Sequence, residues 1–431
     1  MEVLKLFDDI SRQEKIDADI KKFRKGEMRI KVVNEKGEPY RNATISLKQR
    51  SHEFKFGISL FLLDEMETKE KNERFKQNVS DTFNMGIVPI YWDALEPVRG
   101  KPRFSTKSER VYRRPPIDLC IEFCRKFGIE PKAHCLNFDF FTPEWVQTLS
   151  AQEHKEALET RMRLLAERYA TDIPCWEVIN ETLIDNGKTP LYYADDVTAW
   201  SFDTARKYFS QNELMINENA KNVYPGFAHN RSQYYMQIER ELACGTKIDA
   251  IGFQAHFMFG EEFRQKYANP IFLDEFFKTY SRFALPLQIT EATIPSVFGD
   301  VIDEEKQADM LEKMYSYWFS VENMEAIIYW NLTDGYAWQA EPGDMTAGEN
   351  IWRGGLVDFD GRRKPAYEKL NELIKKTWHT ENSGRTDCNG EYSASAFFGE
   401  YEINVTIDGK TKTFIVDYCK SQKDSNVILT C

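Results

Sequence analysis

The chain has 431 residues, of which 42% are hydrophobic and 14% aromatic, and this length fits one large globular domain plus a small one. Its formal net charge of −12 argues against nucleic acid or an anionic membrane surface as a partner, because both bind clustered positive charge. No stretch is long and apolar enough to span a membrane, so a neutral ligand fits this composition better.

Residues 1–26 carry apolar side chains at helical spacing with charges between them, which predicts an N-terminal helical segment. The segment lacks the uninterrupted apolar core of a secretory signal, so the chain as it stands is expected to be cytoplasmic, or secreted if a leader has been removed. The eight cysteines are scattered, and Cys120 and Cys124 have no second Cys/His pair at ligand spacing. We therefore expect buried free thiols and neither a metal nor a cofactor.

Short strands are predicted near both ends of the chain. Residues 28–33 and 43–47 alternate in polarity around a turn, and turn-separated segments of the same kind follow residue 386. The stretches 32–47 and 386–405 resemble the two halves of carboxypeptidase-regulatory-like β-sandwich modules. This resemblance predicts one small antiparallel β domain formed by residues 27–50 and 381–431. Two unrelated hairpins, each covering the outside of the main domain, are the alternative.

Between these ends, residues 51–380 alternate short apolar strands with amphipathic helices. The predicted strands are 54–59, 86–92, 132–138, 175–180, 213–217, 250–254, 287–290 and 326–330. The predicted helices are 67–79, 116–127, 151–169, 194–209, 232–243, 271–283, 304–319 and 365–377. Eight such units predict an α/β fold, the (β/α)8 TIM barrel, with its active site on the loops that follow the strands. A doubly wound sheet is the alternative, but no glycine-rich dinucleotide fingerprint follows the first strand.

Two of the predicted strands end in glutamate. The strand 175–180 is followed by Glu181, and the strand 287–290 by Glu291. In a barrel both carboxyl groups would point into the same mouth, where they could divide the roles of acid and nucleophile. A separation of about 5 to 5.5 Å would predict glycoside hydrolysis with retention, and about 6.5 to 9.5 Å would predict inversion. A polar strand end without chemistry is the simpler interpretation of either glutamate alone.

Several ordered segments carry a resemblance to a known family. "FKFGIS", "WEVINE", "IGFQAH", "QITE", "YWNLTDGYAW" and "KPAYEKL" resemble glycoside hydrolase family 10, the endo-β-1,4-xylanases, over most of residues 53–377. The resemblance implies that Glu181 is the general acid/base and Glu291 the nucleophile. It also implies a β-linked xylan or xylo-oligosaccharide as the substrate. The implied sugar-binding or orienting residues are His134, Asn180, Gln254, His256, Trp330 and Trp338.

The chain also departs from the family pattern. The family's "E-N-x-M-K-W" is here Gly86 to Trp92, which places Tyr91 where the family has a lysine that holds the next sugar. Phe138 and Asp139 stand in place of a Trp-His pair. Thr293 stands where the family has an aspartate that polarises the histidine. These changes leave the reaction intact in our prediction, but they do not fix the choice of sugar.

We therefore predict a retaining β-glycosidase that acts on xylan-type β-1,4 linkages by double displacement. One alternative is a different β-glycoside, such as a β-glucoside or an aryl or steroidal glycoside. A second alternative is a barrel that binds sugar without turnover. The sequence leaves the decorations of the glycan, endo against exo cleavage and the oligomeric state open.

Overall fold

The computed structural model describes residues 2–184, 187–423 and 426–431. The strands are β1 (Lys25–Val33), β2 (Thr44–His52), β3 (Lys55–Ser59), β4 (Met85–Pro89), β5 (Glu130–His134), β6 (Cys175–Asn180), β7 (Glu213–Glu218), β8 (Ala250–His256), β9 (Leu287–Thr293), β10 (Val297–Phe298), β11 (Val301–Ile302), β12 (Met324–Tyr329), β13 (Glu381–Arg385), β14 (Glu391–Phe397), β15 (Gly399–Ile407), β16 (Lys410–Tyr418) and β17 (Asn426–Thr430).

The α-helices lie between and around these strands. They are α1 (Ile10–Arg24), α2 (Lys69–Thr82), α3 (Trp92–Leu95), α4 (Ile117–Phe127), α5 (Glu144–Gln147), α6 (Ala151–Tyr169), α7 (Val197–Tyr208), α8 (Ala220–Val223), α9 (Gln233–Ala243), α10 (Glu261–Tyr267), α11 (Pro270–Tyr280), α12 (Glu304–Ser320) and α13 (Pro365–Glu372).

In the described residues, eight parallel strands close into a barrel in the order β12-β3-β4-β5-β6-β7-β8-β9. Their side chains are buried on both faces, as in β6, where all six residues are buried, because helices cover the outside and side chains fill the interior. The predicted (β/α)8 fold is confirmed. All eight predicted strands correspond to barrel strands, since a continuous apolar run is what such strands require.

Two strands end well before the predicted residue. The second and third barrel strands were predicted to reach residues 92 and 138, whereas β4 ends at Pro89 and β5 at His134. The segments beyond these ends are also largely buried and apolar, which is why the sequence predicted longer strands, but they do not pair as strands. Tyr91 and Phe138 therefore lie on loops at the mouth of the barrel.

Local sequence sets the helix ends well. Ser150 accepts a hydrogen bond from the backbone N–H of Glu153, and the Glu153 carboxylate accepts one from the N–H of Ser150, which begins α6 at the predicted residue. Gly128, with φ 65°, ends α4 in the left-handed conformation that glycine adopts without strain.

The two ends of the chain form two sheets, in which all pairs but one are antiparallel in the described residues. Strand β1 pairs with β14 and, in parallel, with β17, while β2 lies between β13 and β15 and β15 pairs with β16. Side chains from both ends share one apolar cluster, which includes Ile30, Ile45, Tyr401 and Ile403. The predicted extra β structure from both termini is thus present. Its boundaries at residues 50 and 381 stay a prediction.

Among the described residues, no helix combines the length and the apolar character that crossing a membrane requires.

Candidate active site

A cleft of about 760 Å³ opens at the carboxyl ends of the barrel strands. All eight residues singled out from the sequence line it: His134, Asn180, Glu181, Gln254, His256, Glu291, Trp330 and Trp338. They come from five different strands or the loops that follow them, so only closure of the barrel brings them together.

Glu291 is buried on β9 and is surrounded by hydrogen-bond donors. Nδ2 of Asn217 donates to its Oε1 at 3.2 Å, and Nε2 of His256 lies 3.2 Å from its Oε2. Nδ1 of His134 is 4.0 Å from Oε1. This arrangement holds the carboxyl group of Glu291 in one orientation.

Glu181 follows β6 and lies in a different environment. Its backbone has φ 55°, the left-handed region that is uncommon for residues other than glycine, and its side chain remains partly exposed in the cleft. Nε2 of Gln254 donates a hydrogen bond of 2.7 Å to Oε1 of Glu181. Burial, and then repulsion from the Glu291 charge, raise the pKa of Glu181 above its ordinary value. The protonated form of Glu181 is therefore favoured beside an ionised Glu291.

A buried ion-pair network supports the floor of the cleft. Glu177 on β6 lies 2.7 Å from Nζ of Lys132 and 2.5 Å from Nδ1 of His134. Burial alone would raise the pKa of Glu177, but the two cations outweigh it and lower the pKa to about 2. Glu177 also raises the pKa of His134 against the opposing effect of burial. A permanently charged Glu177 therefore fixes the His134 ring at the floor of the cleft.

His256 connects Glu291 to the residue that replaces the family's aspartate. Its Nδ1 lies 3.0 Å from Oγ1 of Thr293, and Nε2 faces Glu291. A hydroxyl can occupy the same place as a carboxylate and hold the ring, but it brings no charge. Burial lowers the pKa of His256 and Glu291 more than offsets this, so the net shift is upward.

Asn217, at the end of β7, is the main organising residue that the sequence patterns did not single out. Its Nδ2 lies 2.9 Å from Oδ1 of Asn180 and 3.2 Å from Glu291, and its own Oδ1 accepts a bond from Thr290 at 2.7 Å. Nδ2 of Asn180 has no hydrogen-bond partner in the described part of the chain. An unpaired buried donor on a cleft-lining residue is suited to a ligand hydroxyl.

One further carboxylate lies behind Glu181. Glu218, also at the end of β7, is buried and accepts hydrogen bonds from the N–H groups of Leu183 and Asn219 at 3.0 and 2.8 Å. Burial raises its pKa to about 7. The sequence does carry a signal for Asn217 and Glu218, because the "INE" at 179–181 recurs at 216–218.

Aromatic side chains from the segments after β3, β4, β5 and β12 form one wall of the cleft. We call this group the aromatic wall: Phe61, Tyr91, Phe138, Phe140, Phe141, Trp330 and Trp338. Trp330 is buried and its ring lies 5.4 Å from that of His134. Trp338 is 38% exposed and meets Phe140 and Phe141 edge-on. Exposed aromatic faces of this kind are suited to the apolar faces of sugar rings.

One cluster in the described residues has ligand atoms close enough to share a metal ion: His134, Glu177 and Glu291, within 4.8 Å of one another. Lys132 already neutralises Glu177, and a cation here would lie near that ammonium group. The hydrogen bonds account for these contacts without an ion.

A second cavity, of about 550 Å³, lies at the opposite end of the barrel, among the first residues of the strands. Two of the carboxylates that line it, Glu213 and Glu325, are joined by Nε2 of Gln288 at 3.0 and 2.7 Å. Active sites of such barrels lie at the carboxyl ends of the strands, so the 760 Å³ cleft is the candidate site.

Several known proteins are similar to this chain in sequence. The family model "Glycosyl hydrolase family 10" matches residues 52–373. The curated "Anti-sigma-I factor RsgI6" of Acetivibrio thermocellus is 26% identical over 405 residues, which cover 91% of this chain and 46% of that protein. "Endo-1,4-beta-xylanase A" of Halalkalibacterium halodurans is 24% identical over 320 residues, 64% of this chain and 76% of the relative. This chain thus spans about half the length of the first of these relatives.

Solved structures show the same fold. Xylanase 10B from Thermotoga petrophila RKU-1, in complex with xylobiose, superposes with a TM-score of 0.59 at 20% identity and covers 75% of this chain and 95% of its own. A mutant of Xylanase10C from Cellvibrio japonicus, in complex with xylopentaose, has a TM-score of 0.61 at 17% identity, covering 76% of this chain and 68% of its own.

Proposed function

Because this chain belongs to glycosyl hydrolase family 10, we propose that it is a retaining glycoside hydrolase that cleaves β-1,4-xylosidic linkages in xylan or xylo-oligosaccharides. One observation carries this proposal. Two carboxyl groups line one cleft in different environments: Glu291 accepts a hydrogen bond from Asn217 and lies beside His256, and Glu181 has a raised pKa that favours its proton.

These environments divide the chemistry. Glu181 protonates the departing glycosidic oxygen while Glu291 attacks the anomeric carbon and forms a glycosyl-enzyme ester. Formation of the ester removes the negative charge of Glu291, and with it the repulsion that raises the pKa of Glu181. Glu181, now deprotonated, then removes a proton from the water that releases the sugar.

The surrounding residues hold the reacting groups in place. Asn217 and His256 orient the Glu291 carboxylate, and Gln254 orients that of Glu181. The free Nδ2 of Asn180 donates to a sugar hydroxyl next to the anomeric carbon, a contact that can strengthen in the transition state.

The preference for xylan-type substrates rests on the relatives. Curated relatives are named endo-1,4-beta-xylanases, and a superposed xylanase holds xylobiose. The aromatic wall offers ring faces to a sugar, while Tyr91 replaces the family's charged clamp. We therefore propose short or decorated xylo-oligosaccharides as the substrates.

A second candidate function is sugar binding without turnover. It is favoured by the relative named an anti-sigma-I factor, which this chain matches over 91% of its own length. In that case the cleft would recognise a glycan and the carboxyl groups would serve only as hydrogen-bond partners.

One experiment separates these functions. The unmutated protein, Glu181→Ala and Glu291→Ala are incubated with aryl β-xylosides, aryl β-xylobiosides, aryl β-glucosides and xylan. Hydrolysis of xylosides by the unmutated protein, lost in both variants, supports the proposal. Binding without turnover would support the second candidate, and cleavage of glucosides alone would show that the sugar assignment is wrong.

A further inference from the structure

Two adjacent arginines line the cleft beside the aromatic wall. Arg113 and Arg114 lie on the loop between α3 and α4, and both are buried, with 3% and 7% of their surface exposed. The guanidinium carbon of Arg114 lies 4.1 Å from the centre of the Tyr91 ring. This loop therefore brings positive charge to the place where the family's lysine is missing.

Arg114 is poorly compensated compared with other buried cations. Lys132 pairs with Glu177 at 2.7 Å, and Lys364 pairs with Asp334 at 3.0 Å. Within residues 2–184, 187–423 and 426–431, Arg114 forms no ion pair. Its guanidinium donates one hydrogen bond, from Nη1 to a backbone carbonyl at 3.0 Å. Its guanidinium otherwise contacts aromatic rings, so this buried cation lacks an anionic partner, and its place on a ligand cleft points to a partner supplied by the ligand.

The neighbouring charges strengthen this argument. Arg113 repels Arg114, and the carboxylate of Asp93 attracts Arg114 but lies beyond ion-pair distance. Burial lowers the pKa of Arg114 to about 10, so the side chain stays cationic at neutral pH. Arg113 donates to a carbonyl and to Oδ1 of Asn331, which leaves the pair with two positive charges and no carboxylate bound to either among the described residues.

The position of Arg114 relative to the reacting groups is defined by three contacts. Its guanidinium stacks on Tyr91, the Tyr91 hydroxyl lies 2.8 Å from Nε2 of His134, and Nδ1 of His134 is 4.0 Å from Glu291. Arg114 is thus connected to Glu291 through the rings of Tyr91 and His134, and it lines the same cleft.

We propose that this part of the cleft binds a carboxylate-bearing sugar, a uronosyl unit on the substrate, and that Arg114 is its anchoring residue. The inference rests on the proposed function and gives the substrate a chemical class. A guanidinium can hold a carboxylate through two parallel N–H···O bonds. A neutral hydroxyl would satisfy one donor but would leave the charge unbalanced.

Binding measured without turnover tests this inference. Isothermal titration on the Glu291→Gln variant compares xylotriose with xylotriose that carries a glucuronosyl group on its non-reducing xylose. We expect the acidic ligand to bind about tenfold or more tightly, because a charge-assisted bidentate contact is stronger than a neutral hydrogen bond. Combining Glu291→Gln with Arg114→Gln should remove the preference for the acidic ligand, and added salt should weaken that preference.

Two further variants keep the test interpretable. Arg114→Lys retains the charge but loses the planar fork, so it should keep only part of the preference, and it serves if the glutamine variant does not fold. Lys221→Gln removes an exposed charge from the same cleft, three strands further round the barrel, and should leave the preference unchanged.

Three outcomes would overturn the inference. They are equal binding of the two ligands by the parent variant, equal weakening of both by Arg114→Gln, and a loss of preference in Lys221→Gln as large as that in Arg114→Gln. Turnover of neutral aryl β-xylosides by the unmutated protein would still support the proposed function in all three cases. Failure to bind either ligand would count against both the inference and the substrate assignment.

Discussion

The hydroxyl of Tyr91 lies 2.8 Å from Nε2 of His134. The family has a sugar-binding lysine at this position, whereas Tyr91 contacts another residue of the protein. Because Nδ1 of His134 is already held by Glu177, both nitrogens of this ring are engaged without a ligand. The tyrosine at position 91 therefore makes the floor of the cleft more rigid. In our proposal, Arg114 is the charged residue that binds the substrate on this side.

Tyr91→Phe removes only this hydroxyl and should destabilise the fold. We expect the free energy of unfolding in urea to fall by about 1–3 kcal/mol, because Nε2 of a buried histidine loses its partner. Tyr280→Phe is the matched control, since that hydroxyl is buried without a hydrogen-bond partner in the described residues. Its loss should leave the stability nearly unchanged. Equal effects of the two variants would contradict the role assigned to Tyr91.

Asn217→Ala should reduce turnover more than it reduces binding. It removes the donor that holds Oε1 of Glu291, and a hydrogen bond to a charged group corresponds to roughly a 10- to 100-fold decrease in kcat on aryl β-xylosides. Thr290→Val is the control, because it loses only the bond to Oδ1 of Asn217 and should have a smaller effect. A change confined to KM would show that Asn217 does not act through the nucleophile.

The pKa of Glu181 should respond to the charge on Glu291. Burial raises this pKa first and repulsion from Glu291 raises it further, so Glu291→Gln should lower it while leaving it above the ordinary glutamate value. Carbon-13 NMR titration of the labelled carboxyl group measures the shift directly. An unchanged pKa in Glu291→Gln would mean that the two carboxyl groups do not interact.

Glu218 should make stability depend on pH. Its pKa is raised to about 7 in the folded protein from 4.5, so the unfolded chain releases the proton before the folded protein does. Stability is then lost as pH rises from about 4.5 to 7, by on the order of 3 kcal/mol in total. The Glu218→Gln variant has no carboxyl group to titrate at this position. Its unfolding free energy should therefore fall less than that of the unmutated protein across the same pH range, by about the same 3 kcal/mol. Parallel pH profiles for the two proteins would rule out the shift.

The barrel and the placement of Glu181 and Glu291 in its cleft were predictable because their signals are local. An apolar run that ends in a carboxyl or amide group identifies a barrel strand and its functional tip, as at Asn180, Glu181 and Glu291. The other predicted cleft residues came from the family resemblance, and closure of the barrel brings them together in the cleft.

The supporting contacts were not predictable in the same way. Lys132 and Glu177 are charged residues inside apolar strands, and only the barrel interior shows that they pair. The contact between Tyr91 and His134 joins two segments that were both predicted as strand, although Tyr91 lies on a loop. Arg114 gave no signal at all, since a basic loop is ordinarily a solvated one, and only its burial beside Tyr91 sets it apart.

The most direct test of the central claim is to trap the glycosyl-enzyme. The protein is incubated with an activated 2-deoxy-2-fluoro β-xyloside, which slows release of the sugar, and the modified peptide is identified by mass spectrometry. The proposed mechanism predicts one fluoroxylosyl group attached to Glu291, formed by the unmutated protein and not by Glu291→Gln. Steady turnover of xylosides with no adduct, or an adduct on any other residue, would contradict it.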